Sequence, residues 1–290
     1  MKPVVAPTNE EAVEAWSGVL FDRWAQYRDV LAVSIHEFSE VAFGLCEPQT
    51  GERVLDIGCG LGETTRELAA LVGSCGEVVG VDAGERFVET AASEASAAGI
   101  VNVSYRAGDV QVAHLGADYD LAFSRFGTMF FANPVAALSN VRSALRPGGR
   151  LCMVVWRSKV ANEWLHRGEL VVERFLERPE ETDEPTCGPG PFSMANADTT
   201  TDILAAAGYE RVALRRCDIS YLMGRDLAQA IEVVMAIGPA GELIRLAGDD
   251  AERIRPRLEA ELRDAYADLE RADGVWADAS TWIVTAVNPG

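Results

Sequence analysis

Residues 53–71 read RVLDIGCGLGETTRELAAL, and the parsing of this stretch decides the fold. Val54, Leu55 and Ile57 form a short apolar run with β-branched members, the pattern of a strand buried on both faces. Asp56 interrupts that run just before its end, and Gly58, Gly60 and Gly62 follow at alternate positions. Glycine accepts a positive φ and carries no Cβ, so such a loop turns tightly and lets a ligand lie against backbone N–H groups. From Thr64 the chain restarts as an amphipathic helix with Leu68 and Leu71 on one face. Strand, glycine loop and helix, with an acid at the strand's carboxyl end, is where open α/β sheets bind ligands. A dinucleotide fingerprint would place its third glycine or an alanine where this chain has Glu63, a poor neighbour for a pyrophosphate.

Outward from this stretch, residues 77–81 (EVVGV) predict a second strand ending at Asp82. An acid there accepts hydrogen bonds from a ribose diol, whichever cofactor carries it. An alanine-rich helix follows and is closed by Gly99. Residues 101–106 and 119–124 read as the third and fourth strands, the third leading into Gly108-Asp109-Val110. Asn133-Pro134 opens a helix to about Leu145, and the turn at 146–149 (RPGG) introduces a fifth strand over 150–156. Before the sheet, residues 10–46 predict one or two helices with an aromatic-rich stripe through Trp16, Trp24 and Tyr27. After it, a helix bearing Trp164 and Leu165 precedes an acidic, proline-rich surface loop over 178–191. A helix ended by Gly208, a sixth strand over 210–218, helices over 227–270 broken at Gly238-Pro239 and a last strand over 282–287 complete the chain.

The ordered set of Asp56 with its glycines, Asp82, Asp109 and the LRPGG turn resembles the class I S-adenosylmethionine-dependent methyltransferases over residues 52–157. SRFGTMFF and GPGPF resemble a bacterial branch that acts on small molecules. The resemblance implies an α/β, Rossmann-like seven-stranded sheet with an antiparallel last strand and helices on both faces. It divides the chain into a helical leader (1–50), a cofactor-binding core (51–157), a lid insertion after the fifth strand (158–194) and the remainder of the sheet domain (195–290). The cofactor it implies is S-adenosylmethionine, with S-adenosylhomocysteine as product. Its expected contacts are Asp56, Gly58, Cys59, Gly60, Gly62, Asp82, Ala83, Asp109, Val110 and Ser124, with Trp24 from the leader. Asp109 is expected at the exocyclic amine of adenine and Ser124 beside the donor sulfur.

Methyl transfer from a sulfonium needs alignment more than activation. A hydroxyl acceptor also gains from a nearby base. Of the three histidines, His36 and His114 are expected to pack or face solvent, which leaves His166 as the candidate base. Arg125 follows the fourth strand, where a buried cation could orient an anionic or carbonyl acceptor. Phe126 and Met129, with Tyr27, Trp164 and Phe192, are the expected acceptor contacts. Asp118 and Asp120 have no third ligand in view, so no metal is expected. The expected activity is methylation of a small, apolar or aromatic metabolite, at oxygen in preference to nitrogen or carbon. One alternative is a nicotinamide-dependent oxidoreductase, which shares Asp82 but finds no Tyr-x-x-x-Lys pair in a chain whose lysines are Lys2 and Lys159. Another is a related protein that binds the cofactor without turnover.

Composition narrows the partners. The 290 residues are 48% hydrophobic and 24% charged, as in an ordinary globular protein. The net charge of -19 is spread over both halves, which disfavours a nucleic-acid partner because phosphates demand lysine and arginine. No cleavable apolar leader and no uninterrupted apolar run of about 18 residues is visible, so neither secretion nor a membrane span is expected. Six scattered cysteines without metal-ligand spacing fit a reduced, cytoplasmic protein, expected as a monomer or homodimer with a small-molecule acceptor.

Overall fold

The computed structural model describes residues 4–177 and 188–290. The leader forms α1 (Glu10–Ser17) and the long α2 (Val19–Cys46), separated at Gly18. Then come β1 (Arg53–Ile57), α3 (Glu63–Val72), β2 (Glu77–Asp82), α4 (Glu85–Ala97), β3 (Val103–Ala107), β4 (Tyr119–Arg125), α5 (Pro134–Ala144) and β5 (Leu145–Trp156). The second half contains α6 (Glu163–Val172), α7 (Ala197–Ala206), β6 (Glu210–Gly224), α8 (Leu227–Ala236), α9 (Gly238–Ala247), α10 (Asp249–Tyr266), β7 (Glu270–Arg271) and β8 (Gly274–Val287).

The strand order is β3-β2-β1-β4-β5-β8-β6, with β7 paired to β8 beside this path. The first five strands run parallel, and β8 is antiparallel to both β5 and β6. The expected seven strands are therefore all present, and the two-residue β7 is an eighth. The chain direction across the sheet reverses between β1 and β4, which opens a crevice at their carboxyl ends. Val54, Leu55, Ile57, Leu121 and Phe123 are all completely buried, as strands covered on both faces require. α3 and α4 pack on β1, β2 and β3, while α2 lies across β5, β8 and β6.

Four boundaries differ from the expectation, each for a local reason. β5 begins at Leu145, so Arg146 to Gly149 belong to the strand's irregular start instead of preceding it. β6 and β8 extend well past 218 and before 282, because each supplies the other's hydrogen bonds along the whole pair. Within 227–270 there is a second break, at Gly248 with φ 51°, besides the one at Gly238. At the first break the Arg23 guanidinium of α2 donates to the Ala236 carbonyl, which the end of α8 exposes, and also to the Gly241 carbonyl of α9.

Candidate active site

The carboxyl ends of β1, β2, β3 and β4 open into a cavity of about 650 Å³. Its floor is the glycine loop. Gly58, Gly60 and Gly62 all have positive φ, so the loop is left-handed at three points that other residues would resist. A Cβ on Gly58 would stand 2.9 Å from the Cα of Gly127, so two backbones cross here with no room for a side chain. Gly60 has open space where its Cβ would be, and it lines the cavity together with Gly58 and Cys59. Gly62 does not line it: the ring of Tyr105 and the methyl of Ala91 fill its Cβ position, so this glycine seats α3.

Asp82 accepts the N–H of Gly60 at 2.9 Å on one carboxylate oxygen and that of Gly84 at 2.8 Å on the other. Burial raises its pKa, and these two N–H groups oppose the rise. The carboxylate thus ties the glycine loop to the end of β2 while keeping lone pairs for a diol. Asp82 and Ala83 line the cavity, as do Asp109 and Val110 beyond β3. Asp109 is 1% exposed and already accepts from the backbone N–H of Ala6 and from Gln111. Nothing in the composition or spacing of the leader's first residues signals that they reach it.

Asp56 and Ser124 stand behind the cavity wall. Asp56 is completely buried and accepts the hydroxyls of Thr64 and Thr65 at 2.7 and 2.6 Å on one oxygen, leaving the other without a partner among the described residues. Burial lifts its pKa to about 6, against the pull of those two hydroxyls. Ser124 donates to the Ile57 carbonyl at 2.8 Å, binding β4 to β1 beneath the crossing of Gly58 and Gly127. Neither residue is positioned for the direct ligand contact expected of it, because Asp56 spends its side chain on the first turn of α3 and Ser124 spends its own on β1.

The other end of the cavity is aromatic. Phe126 adopts φ 62°, a costly value for a bulky residue, and its ring stacks on Trp156 at 4.1 Å. Trp156 meets Trp164 at 5.4 Å, and Trp164 stacks on Tyr221 at 4.2 Å. Trp24, Met129 and Phe192 also line this cavity. Arg125 does so too, and its guanidinium has one hydrogen-bond partner among the described residues, Ser39 Oγ at 2.7 Å. Burial lowers its pKa, and the carboxylates of Glu67, Glu63 and Asp56 oppose the loss of charge.

Two candidates lie elsewhere. Tyr27 is half-buried on α2 outside the cavity wall, its hydroxyl accepting from Gln26. His166 is on α6, which turns Leu165 and Glu169 to the cavity one four-residue step apart and carries His166 about 100° away from Leu165. His36 pairs with Glu67 at the surface, and His114 is exposed. Residues that sequence reasoning missed include Asn9, Trp156 and Tyr221, all of which line the cavity. An aromatic residue in a strand gives the same signal whether it walls a pocket or fills the core, and Tyr221 falls beyond the expected end of its strand.

Comparison with known proteins agrees with this arrangement. Residues 48–184 match the family model described as a methyltransferase domain. Aklanonic acid methyltransferase of Streptomyces sp. (strain C5) is 38% identical over 108 residues, 37% of this chain and 49% of that protein. Nocamycin O-methyltransferase of Saccharothrix syringae is 34% identical over 137 residues, 46% of this chain and 48% of that one. The chain thus spans about half the length of the curated relatives it matches. The crystal structure of YcgJ protein from Bacillus subtilis shares the fold, with a TM-score of 0.57 at 16% identity, over 88% of this chain and 99% of that one. The matched segment, residues 48–184, is thus a methyltransferase domain of the class that uses S-adenosylmethionine.

S-adenosylmethionine is the cofactor of that class, and the residues present fit it. Asp82 retains acceptors for a ribose diol, the open face of Gly60 admits close approach of a ligand, and the cavity has the volume of a small-molecule site.

Proposed function

We propose that the chain methylates an oxygen of a small aromatic or otherwise apolar metabolite, with S-adenosylmethionine as donor. The observation that carries this reading is the continuity of one cavity from Asp82 and Gly60 to Arg125 and the stacked rings of Phe126 and Trp156. When bound, the cofactor supplies an electrophilic methyl group on a good leaving thioether. The chain's own residues hold the acceptor. The aromatic wall takes a flat, apolar body, and Arg125 directs its unused N–H donors toward an oxygen anion or carbonyl. Proximity to a guanidinium also favours the ionised form of a phenol or acid, so the acceptor oxygen gives its proton to solvent water before transfer and needs no histidine. The relatives named as methyltransferases of aklanonic acid and of nocamycin support an acceptor of this kind.

The test is transfer of labelled methyl to a panel of phenols, aromatic acids and amines by the parent chain and by Arg125→Gln. Oxygen acceptors should be methylated, and the variant should lose at least tenfold in kcat/KM, a factor equal to about 1.4 kcal/mol, while still binding S-adenosylhomocysteine. Preferential methylation of amines would overturn the choice of oxygen. A variant that fails instead to bind S-adenosylhomocysteine would move Arg125 to the cofactor's carboxylate.

A further inference from the structure

Asp109 is crowded. Its Oδ1 accepts the backbone N–H of Gln111 at 3.0 Å and the Gln111 side-chain amide at 3.3 Å. Its Oδ2 accepts the same amide at 3.2 Å and the N–H of Ala6 at 3.0 Å. A carboxylate offers about four lone-pair sites, and three donors already draw on them. Gln111 is not free to withdraw, because its own amide oxygen holds the N–H of Asn133 at 2.5 Å. An exocyclic amine brings two N–H donors, and a buried donor left unpaired is costly. Asp109 has room for one of them at most.

A second acceptor lies one turn away. Ala6 starts a short 3-10 turn in which the N–H of Asn9 donates back to the Ala6 carbonyl at 2.8 Å. The bond from Ala6 to Asp109 therefore brings Asn9 to the same end of the cavity. Asn9 lines the cavity, is 5% exposed, and its Oδ1 has no hydrogen-bond partner among the described residues. An asparagine amide is one of the side chains whose acceptor matches the amine of adenine. We infer that Asn9 accepts the second amine hydrogen, so that the leader and Asp109 together recognise the adenine of the cofactor. This inference rests on the cofactor assignment above. It makes the leader part of the binding site as well as its cover.

The experiment is calorimetric titration of the full chain with S-adenosylhomocysteine and with S-inosylhomocysteine, in which a carbonyl replaces the amine. The parent should prefer the adenosyl compound. Asn9→Ala should bind it about tenfold more weakly, within the range of such contacts, and should lose much of the preference. Asn9→Asp, which keeps an acceptor oxygen, should recover the preference. Unfolding midpoints of the ligand-free variants identify any general loss of structure, and for a variant so affected the preference ratio remains the readout. Unchanged affinity and preference in Asn9→Ala, or no recovery in Asn9→Asp, would overturn the inference. If the parent itself ignores S-adenosylhomocysteine, it is the cofactor assignment that fails, and the role of Asn9 falls with it.

Discussion

Asp56 shows how a single side chain divides its cost and its use. It sits at the carboxyl end of β1, wholly buried, with one oxygen unpaired among the described residues. Its pKa of about 6 exceeds the ordinary 3.8 because burial penalises the charge. The native chain therefore binds an extra proton between these two values. Its stability falls as pH rises through that window, and the full penalty is present above about pH 6. A shift of roughly two units corresponds to about 3 kcal/mol. Asp56→Asn keeps an acceptor for Thr64 and Thr65, so the variant should be the more stable at pH 8, by up to about that amount. The difference should close as pH falls from about 6 to about 4, which urea unfolding at several pH values will measure. At this scale the sequence was legible wherever backbone chemistry dictates the residue, as at Gly58, Gly60 and Asp82. It was misleading at Asp56 and Ser124, because a polar residue at a strand end looks the same whether it meets a ligand or braces a neighbouring helix or strand.

Helix α6 illustrates the same limit one level up. Its apolar residues predicted a helix, and that helix is present, yet the expected base, His166, lies off the cavity face. Which face looks inward depends on the partners of the helix, and these come from far along the chain. At Gly168 a Cβ would stand 2.4 Å from Val234 Cγ1 of α8 and 2.9 Å from the Tyr266 hydroxyl of α10. Gly168→Ala should therefore cost about 1–3 kcal/mol through overpacking. Gly44, exposed near the end of α2, has nothing within 4 Å of its Cβ position and an ordinary helical backbone. Gly44→Ala should stabilise by about 0.4–1 kcal/mol, because it restricts only the unfolded chain. Denaturant midpoints of the two variants should move in opposite directions, although both make the same chemical change inside a helix.

For the molecule as a whole, cofactor binding and stability are linked. The glycine loop, Asp82 and Asp109 come from β1, β2 and β3, while Arg125 comes from β4 and Tyr221 from β6. A ligand held across these strands stabilises the native chain by about 2.7 kcal/mol at 100 times its dissociation constant. S-adenosylmethionine and S-adenosylhomocysteine should raise the thermal midpoint, NAD(H) should not, and Asp82→Ala should abolish the response. A response to NAD(H) alone would restore the oxidoreductase alternative. The parallel half of the sheet was readable because each strand there is a compact apolar run ended by a glycine or an acid. The acceptor wall was readable only in part: Phe126, Met129, Trp164 and Phe192 were named from the sequence and line the cavity, whereas Trp156 of β5 and Tyr221 of β6 come from strands that β8 brings together. No single helix among the described residues is long and apolar enough to cross a membrane.

That pairing also imposes a schedule. β8 is the last strand in sequence, yet it lies between β5 and β6 and supplies the hydrogen bonds of both. Until residues 274–287 have emerged from the ribosome, β5 keeps an open edge and β6 has no neighbour in the sheet. The pairings of β1 to β5, which carry the cofactor half of the cavity, do not depend on β8. The acceptor half, with Tyr221 on β6, waits for the final strand. In order of synthesis, the elements that frame the cofactor are therefore complete before those that frame the acceptor.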